Sequence, residues 1–188
     1  MPQHRIDNQY LLDRAAIHDL HGRYFQGLDR GEPDQVRRCF TEDVIAFYDG
    51  RSALRPGGQA PVRGIDALMD SLVTFKRQKT GEWKVTTHFM GNLNINVLEG
   101  DVAETETNAI AFLVLAGEPT DQVAMRSLRY LDRLRRMEDG WRISERLHTL
   151  DWSCQVPTTF AVTMAQRQMA RCATADPGGR PSGEAGHD

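Results

Sequence analysis

The sequence has few cysteines, and none of them is arranged as a pair. Cys39, Cys154 and Cys172 are odd in number and widely separated, and the chain contains no Cys-x-x-Cys motif. This pattern excludes the cysteine frameworks of small disulfide-rich domains and of common zinc sites. We interpret all three residues as reduced thiols and expect a cytoplasmic protein.

Long hydrophobic runs and a basic surplus are also missing. No stretch approaches the roughly 18 apolar residues that a membrane-spanning helix requires, and the opening segment MPQHRIDNQY lacks the apolar core of a secretory signal. The formal net charge of −3 gives no electrostatic footprint for nucleic acid or an anionic membrane. We therefore expect neither as a partner. A chain of 188 residues with 40% hydrophobic residues can form one globular domain with a sizeable core.

The common nucleotide-binding and hydrolase motifs are absent as well. The sequence contains no GxSxG, no Walker loop, no HExxH and no GxGxxG. His18 and His21 are three residues apart and could chelate a metal, but no third ligand follows at a recognisable spacing. We expect no metal and no cofactor.

The N-terminal part of the chain predicts helices. Ile17, Leu20, Tyr24 and Leu28 recur at the spacing of an amphipathic helix, which we place over about residues 9–30. The following elements are predicted as a short helix (Pro33–Phe40), a strand (Val44–Tyr48), a long loop (Asp49–Gly64) and a third helix (Ile65–Lys79).

From Trp83 the hydrophobic period changes from 3.6 to 2, which predicts strands. One side of the first strand carries mainly apolar residues and the other polar ones, including His88. Four long strands joined by turns are predicted, starting at Trp83, Val102, Val123 and Trp141. Helices ahead of an antiparallel meander indicate an α+β domain, with the N-terminal helices packed on a curved, mostly antiparallel sheet that encloses a pocket. We place one domain over residues 1–173, closed by a helix over Pro157–Cys172, and a disordered tail over 174–188.

Two residues are candidates for chemistry. Asp29 falls in the last turn of the first helix, where the helix dipole disfavours a carboxylate, and it is either a solvated helix-end acid or part of a site. His88 is either a structural strand histidine or a general base, because its ordinary pKa allows it to accept a proton near neutrality. A carboxylate at a helix end above the sheet could orient that imidazole and stabilise its charged form.

The segments RYFQGLDRGEPDQVRRCFTEDV, THFMGN and YLDRLRRMEDGWRISER, in this order, make the chain similar to the SnoaL-like branch of the NTF2-like superfamily. The resemblance covers about residues 10–155. The family members that this chain resembles include scytalone dehydratase, bile acid 7α-dehydratase and hexachlorocyclohexane dehydrochlorinase. The resemblance implies an NTF2-like cone and a catalytic pair formed by a helix-end aspartate and a strand histidine, which Asp29 and His88 match.

Further site residues follow from the same resemblance. Tyr24 matches the tyrosine of the bile acid dehydratase, and Arg146 matches the pocket arginine of the dehydrochlorinase. The strand context, rather than the resemblance, suggests two candidate substrate-binding residues: Tyr130, which is otherwise a packed strand aromatic, and Asn92, which otherwise supports the bend at Gly91. The chain departs from scytalone dehydratase in two places: the strand after His88 has no histidine, and Leu28 replaces the tyrosine before the aspartate.

The hypothesis that follows is a cofactor-independent lyase or isomerase, catalysing a dehydratase-like elimination or a proton transfer on an apolar cyclic molecule such as a steroid or polyketide. The alternatives are a non-catalytic scaffold that resembles the β subunit of a ring-hydroxylating dioxygenase, or a small-molecule binding module. The resemblance also implies a homodimer or homotrimer.

Overall fold

The computed structural model describes residues 6–49, 60–158 and 161. Four helices and six strands lie in these ranges. In chain order they are α1 (Asn8–Arg30), α2 (Pro33–Arg37), β1 (Phe40–Asp49), β2 (Val62–Arg63), α3 (Ile65–Ser71), α4 (Val73–Lys79), β3 (Trp83–Glu99), β4 (Val102–Leu115), β5 (Gln122–Met137) and β6 (Gly140–Pro157).

Helix α1 has a defined start and a defined end. Asp7 is its N-cap, and the side chain accepts a hydrogen bond of 2.9 Å from the backbone amide of Tyr10. Gly31 ends the helix with φ 68°, a left-handed conformation that glycine adopts without a Cβ clash. The predicted stripe, Ile17 to Leu28, is buried, so α1 covers one face of the sheet, here called the inner face.

The six strands form one mixed sheet in the order β2-β1-β6-β5-β4-β3. Strands β3 to β6 form the predicted antiparallel meander, while β1 pairs in parallel with β6 and so extends the sheet beyond the last hairpin. The sheet does not close. The core lies between its inner face and the helices, which confirms the predicted α+β architecture.

Several predicted boundaries were wrong. The single helix over Ile65–Lys79 is two helices, because the backbone of Leu72 leaves helical geometry at ψ 88°. Helix α2 ends at Arg37, since the chain turns there to begin β1 at Phe40. Strand β6 continues past Trp152 because it stays paired with β5 to Pro157. The predicted closing helix begins at Pro157, which is the last residue of β6, and apart from residues 157, 158 and 161 it lies outside the described residues, as do most of the long loop and the predicted tail.

The predicted alternation along β3 was also wrong. The register shifts between Trp83 and Val85 and again between Met90 and Leu93, so each bulge moves the following residues to the other face. Trp83 is 4% exposed whereas Phe89 is 69% exposed, although a strict two-residue period would put both on one side. His88 therefore shares the inner face with the core.

No helix in the described part of the chain is long and apolar enough to cross a membrane.

Candidate active site

The end of α1 lies against β3, and Asp29 makes the contact. Its Oδ2 accepts a hydrogen bond of 2.8 Å from the backbone amide of His88, and its Oδ1 lies 2.6 Å from His88 Nδ1. These two donors compensate for the unfavourable position of a carboxylate at a helix C-terminus. Asp29 thus binds His88 through both the main chain and the ring of the histidine.

Gln78 of α4 holds this junction together. Its side-chain amide donates to the carbonyl oxygen of Leu28 at 2.8 Å and to the Thr86 hydroxyl at 2.9 Å. One amide group therefore links the last turn of α1 to β3, close to the contact between Asp29 and His88. We infer that Gln78 fixes the separation of the two elements.

The His88 ring is held in one orientation. It stacks on Phe25, with ring centroids 5.6 Å apart and 19° between the planes, and its side chain is 7% exposed. An ionised Asp29 can only accept hydrogen bonds, which assigns the ring proton to Nδ1. The Nε2 atom then carries a lone pair and makes no hydrogen bond to any described residue.

A cavity of about 230 Å³ lies on one side of His88. Its polar and aromatic lining residues are Tyr24, Tyr48, Ser71, Thr74, Trp83, His88, Arg126, Tyr130 and His148, and its apolar ones include Leu28, Leu72, Ala111, Leu113 and Leu128. Asp29 does not line this cavity. It lines a second cavity of about 430 Å³ together with Gln26, Thr87 and His88 itself, so His88 borders both cavities and Asp29 borders only the second.

Three tyrosines contribute neutral hydroxyls to the cavity. Burial raises the pKa of Tyr24, partly offset by the positive charge of Arg146, and burial raises the pKa values of Tyr48 and Tyr130 well above the ordinary range. All three are therefore hydrogen-bond donors at neutral pH. The Tyr48 hydroxyl has no partner of good geometry among the described residues, although Tyr24 is close enough to influence its pKa.

Arg146 is buried, but it does not line the cavity. Its Nε and Nη2 donate to the carboxylate of Asp132 at 2.8 and 2.7 Å, and both side chains are 0% exposed. The guanidinium lies over the rings of Tyr24 and Tyr130, 4.2 and 4.7 Å from their centroids. Arg146, which the resemblance matches to a pocket arginine, thus lies behind the two tyrosines and not on the cavity wall.

Asn92, predicted as a ligand contact, is exposed and absent from the cavity wall. The bulge between Met90 and Leu93 turns it away from the inner face. Gly91 permits this bulge next to β4, since a Cβ there would lie 3.1 Å from the carbonyl oxygen of Asn108. The supporting interpretation of this segment fits the structure better than the ligand interpretation.

His148 lines the cavity and was not identified from the sequence. Its ring contacts Tyr130 at 4.9 Å and Tyr48 at 5.3 Å between centroids, and its Nδ1 is buried without a hydrogen-bond partner among the described residues. Burial lowers the pKa of His148 to about 4, so the ring is neutral. The two-residue period of β6 was an available signal, because His148 follows Arg146 on the same face.

The described residues contain no group of three histidine, cysteine or acidic side chains that could hold a metal ion. His21, half of the pair considered for metal binding, is 0% exposed and 3.7 Å from Asp132. Its Nε2 lies 3.3 Å from the Thr105 hydroxyl, and burial lowers the pKa of His21 to about 4. This histidine is part of the core.

The helix-covered mixed sheet with a cavity on its inner face has the architecture of the NTF2-like fold. Residues 9–147 match the SnoaL-like domain family, and the chain belongs to that family. An uncharacterized protein of Mycobacterium tuberculosis (strain H37Rv) is 31% identical over 139 residues, which cover 74% of this chain and 86% of the relative.

Solved structures share this fold at low sequence identity. A protein of Novosphingobium aromaticivorans assigned as a scytalone dehydratase matches with a TM-score of 0.66 and 18% identity, covering 85% of this chain and 97% of the other. A type 2 hexachlorocyclohexane dehydrochlorinase matches with a TM-score of 0.66 and 17% identity, covering 84% of this chain and 98% of the other. The β subunit of a protein assigned as an aromatic-ring-hydroxylating dioxygenase, also from N. aromaticivorans, matches with a TM-score of 0.61 and 20% identity. The match covers 85% of this chain and 98% of the other.

Proposed function

We propose that the protein is a cofactor-independent lyase or isomerase that removes a proton from a cyclic small molecule. The observation that carries the proposal is the position of His88, whose ring is held by Asp29 and which also borders the cavity of about 230 Å³. A base held in this way needs no reorganisation when substrate binds, and such a base contributes about 10²–10⁴-fold to a rate.

In the proposed reaction, Nε2 of His88 accepts a proton from a carbon atom next to a carbonyl or opposite a leaving group. The electrons of the broken C–H bond form a new double bond, either within an enolate or with departure of the leaving group. Asp29 accepts the Nδ1 proton in a hydrogen bond and stabilises the imidazolium that forms. Return of the proton to another atom gives isomerisation, and loss of a leaving group gives elimination.

Tyr24 is the proposed hydrogen-bond donor to the carbonyl oxygen or the leaving hydroxyl. It lines the cavity with His88, and burial keeps its hydroxyl protonated. A single donor aimed at developing negative charge contributes about 10²–10³-fold. Arg146 acts through Tyr24 and Tyr130 as a positioning residue, since its guanidinium contacts both rings but does not border the cavity.

The competing function is a scaffold or a binding module. The likeness to a dioxygenase β subunit supports the fold and not an assembly role, because one fold hosts many activities. Such a protein would not depend on an oriented base, so its binding or assembly would be unchanged when His88 loses its side-chain nitrogen atoms.

The test is proton exchange, which does not require the leaving group to be known. Cyclic ketones, hydroxylated steroids and aromatic polyketides are incubated with the protein in deuterated buffer, and deuterium uptake or loss of water is followed by NMR and mass spectrometry. We expect turnover by the wild type and by His18→Ala, which removes an exposed histidine, and none by His88→Ala. Equal turnover by wild type and His88→Ala would refute the proposal.

A further inference from the structure

Arg126 places a positive charge on the wall of the cavity. It belongs to the inner face of β5, where it is half-buried. No carboxylate within the described residues forms an ion pair with it, and none lines the cavity. Its neighbour Arg77, by contrast, is neutralised by Glu82 at 2.8 Å. A half-buried guanidinium without a counter-charge is less well solvated than a free one, so an anionic ligand would stabilise it.

The strand register sets Arg126 beside the proposed base. His88 pairs with Ala111 on β4, and Ala111 pairs with Arg126 on β5. Three residues in one row across adjacent strands put the Cα atoms of His88 and Arg126 about 10 Å apart. The methyl side chain of Ala111 between them leaves space above the sheet, so both longer side chains border the same cavity.

Trp83 adds a second polar group that lacks a partner. The residue is only 4% exposed, and its buried indole Nε1 makes no hydrogen bond among the described residues. The guanidinium of Arg126 lies 5.7 Å from the indole centroid, and that of Arg77 lies at 5.2 Å. Arg126 and Trp83 both line the cavity, and neither a guanidinium nor an indole N–H can accept a hydrogen bond, so this part of the wall carries a positive charge and no carboxylate.

From these contacts we propose that the substrate is an anion, a cyclic compound whose carboxylate binds Arg126 while its reacting carbon faces His88. Burial, with Arg77 nearby, lowers the pKa of Arg126, but an arginine stays charged at neutral pH. The inference rests on the proposed function in taking this cavity as the substrate site. It narrows the substrate class from apolar cyclic molecules to cyclic carboxylic acids, in which the ring occupies the apolar wall.

The probe is 1-naphthoate, a flat bicyclic acid, compared with 1-naphthamide, which has the same rings and no charge. Calorimetry with the full-length wild-type protein at neutral pH should give a dissociation constant at least about tenfold lower for the acid, as expected for a charge-assisted contact. Arg126→Gln should bring the two constants within about twofold, and Arg126→Lys should keep part of the preference. Arg129→Gln is the matched control, because Arg129 is on the same strand but pairs with Glu106 and Asp151.

Three results would overturn the inference: equal binding of acid and amide by the wild type, no saturable binding of the acid at about 1 mM, or a preference for the acid that folded Arg126→Gln keeps in full. The wild-type comparison decides the case even if Arg126→Gln does not fold. His88→Ala should keep the preference for the acid. A preference in His88→Ala without turnover of any cyclic acid by the wild type would leave the anion site in place and reject the proposed function. Turnover of neutral ketones by a wild type that shows no preference for the acid would support the proposed function and reject the anion site.

Discussion

Both carboxylate oxygens of Asp29 bind to one residue, His88, through its backbone amide and its ring nitrogen. The main-chain contact fixes the carboxylate relative to β3, so the ring contact that follows has a set direction. An aspartate that orients the ring without bordering the cavity suits a base that must remain unprotonated on the cavity side.

Gln78 is predicted to maintain that arrangement. Replacing Gln78 by Leu removes both donors that join Leu28 to Thr86 and should lower the free energy of unfolding by about 1–3 kcal/mol. It should also lower kcat more than it raises KM, because the base moves relative to the substrate. Gln35→Leu, which removes a similar bond to the carbonyl of Arg23, is the control and should leave kcat unchanged. Equal kcat for Gln78→Leu and wild type would show that the junction does not need this amide.

Acid should destabilise the protein through its buried histidines. Burial lowers the pKa values of His148 and His21 to about 4, against about 6.5 in the unfolded chain. Between these values the unfolded state binds more protons, so the free energy of unfolding falls as the pH drops from about 6.5 to 4, by up to about 1.4 kcal/mol per pH unit for each group. Urea unfolding at several pH values measures the slope. His148→Gln should reduce it, whereas His18→Gln, which removes an exposed side chain, should not.

The buried ion pair predicts an asymmetric response to mutation. Arg146→Met leaves the carboxylate of Asp132 without its main partner and should reduce the free energy of unfolding by about 3–5 kcal/mol. The double variant with Asp132→Leu removes the stranded charge and should recover most of that loss. Chemical denaturation gives both values. A double variant that is no more stable than Arg146→Met would contradict this prediction.

The outer face of the sheet predicts self-association. Phe47, Leu147 and Leu131 are paired in register on β1, β6 and β5, and each is more than a third exposed. A contiguous apolar row of this kind favours an interface, so we expect a dimer or trimer by light scattering and a monomer after Leu147→Lys. A monomeric wild type at micromolar concentration would contradict this expectation.

The periodicity of the sequence was sufficient to predict the architecture but not the details of the site. The change from helical to strand spacing at Trp83 marked the meander, because each period reflects one buried face. The bulges in β3 depend on its pairing with β4, so the outward turn of Asn92 could not be read from β3 alone. Arg146 is held behind Tyr24 by Asp132. The two residues become neighbours only when β5 and β6 pair, so this position could not be predicted from the sequence of β6 alone. Arg126 escaped notice because a lone arginine is ordinarily a surface residue.

The most direct test of the central claim is the rate constant of His88→Ala and Asp29→Asn on a substrate found by the exchange screen. Each variant should lower kcat by at least about 10²-fold, or about 2.7 kcal/mol of barrier, and the double variant should be little worse than the poorer single one, because the two residues act as a unit. Ligand binding should persist in all three, since the cavity wall comes mostly from other side chains. Wild-type turnover by His88→Ala would contradict the account.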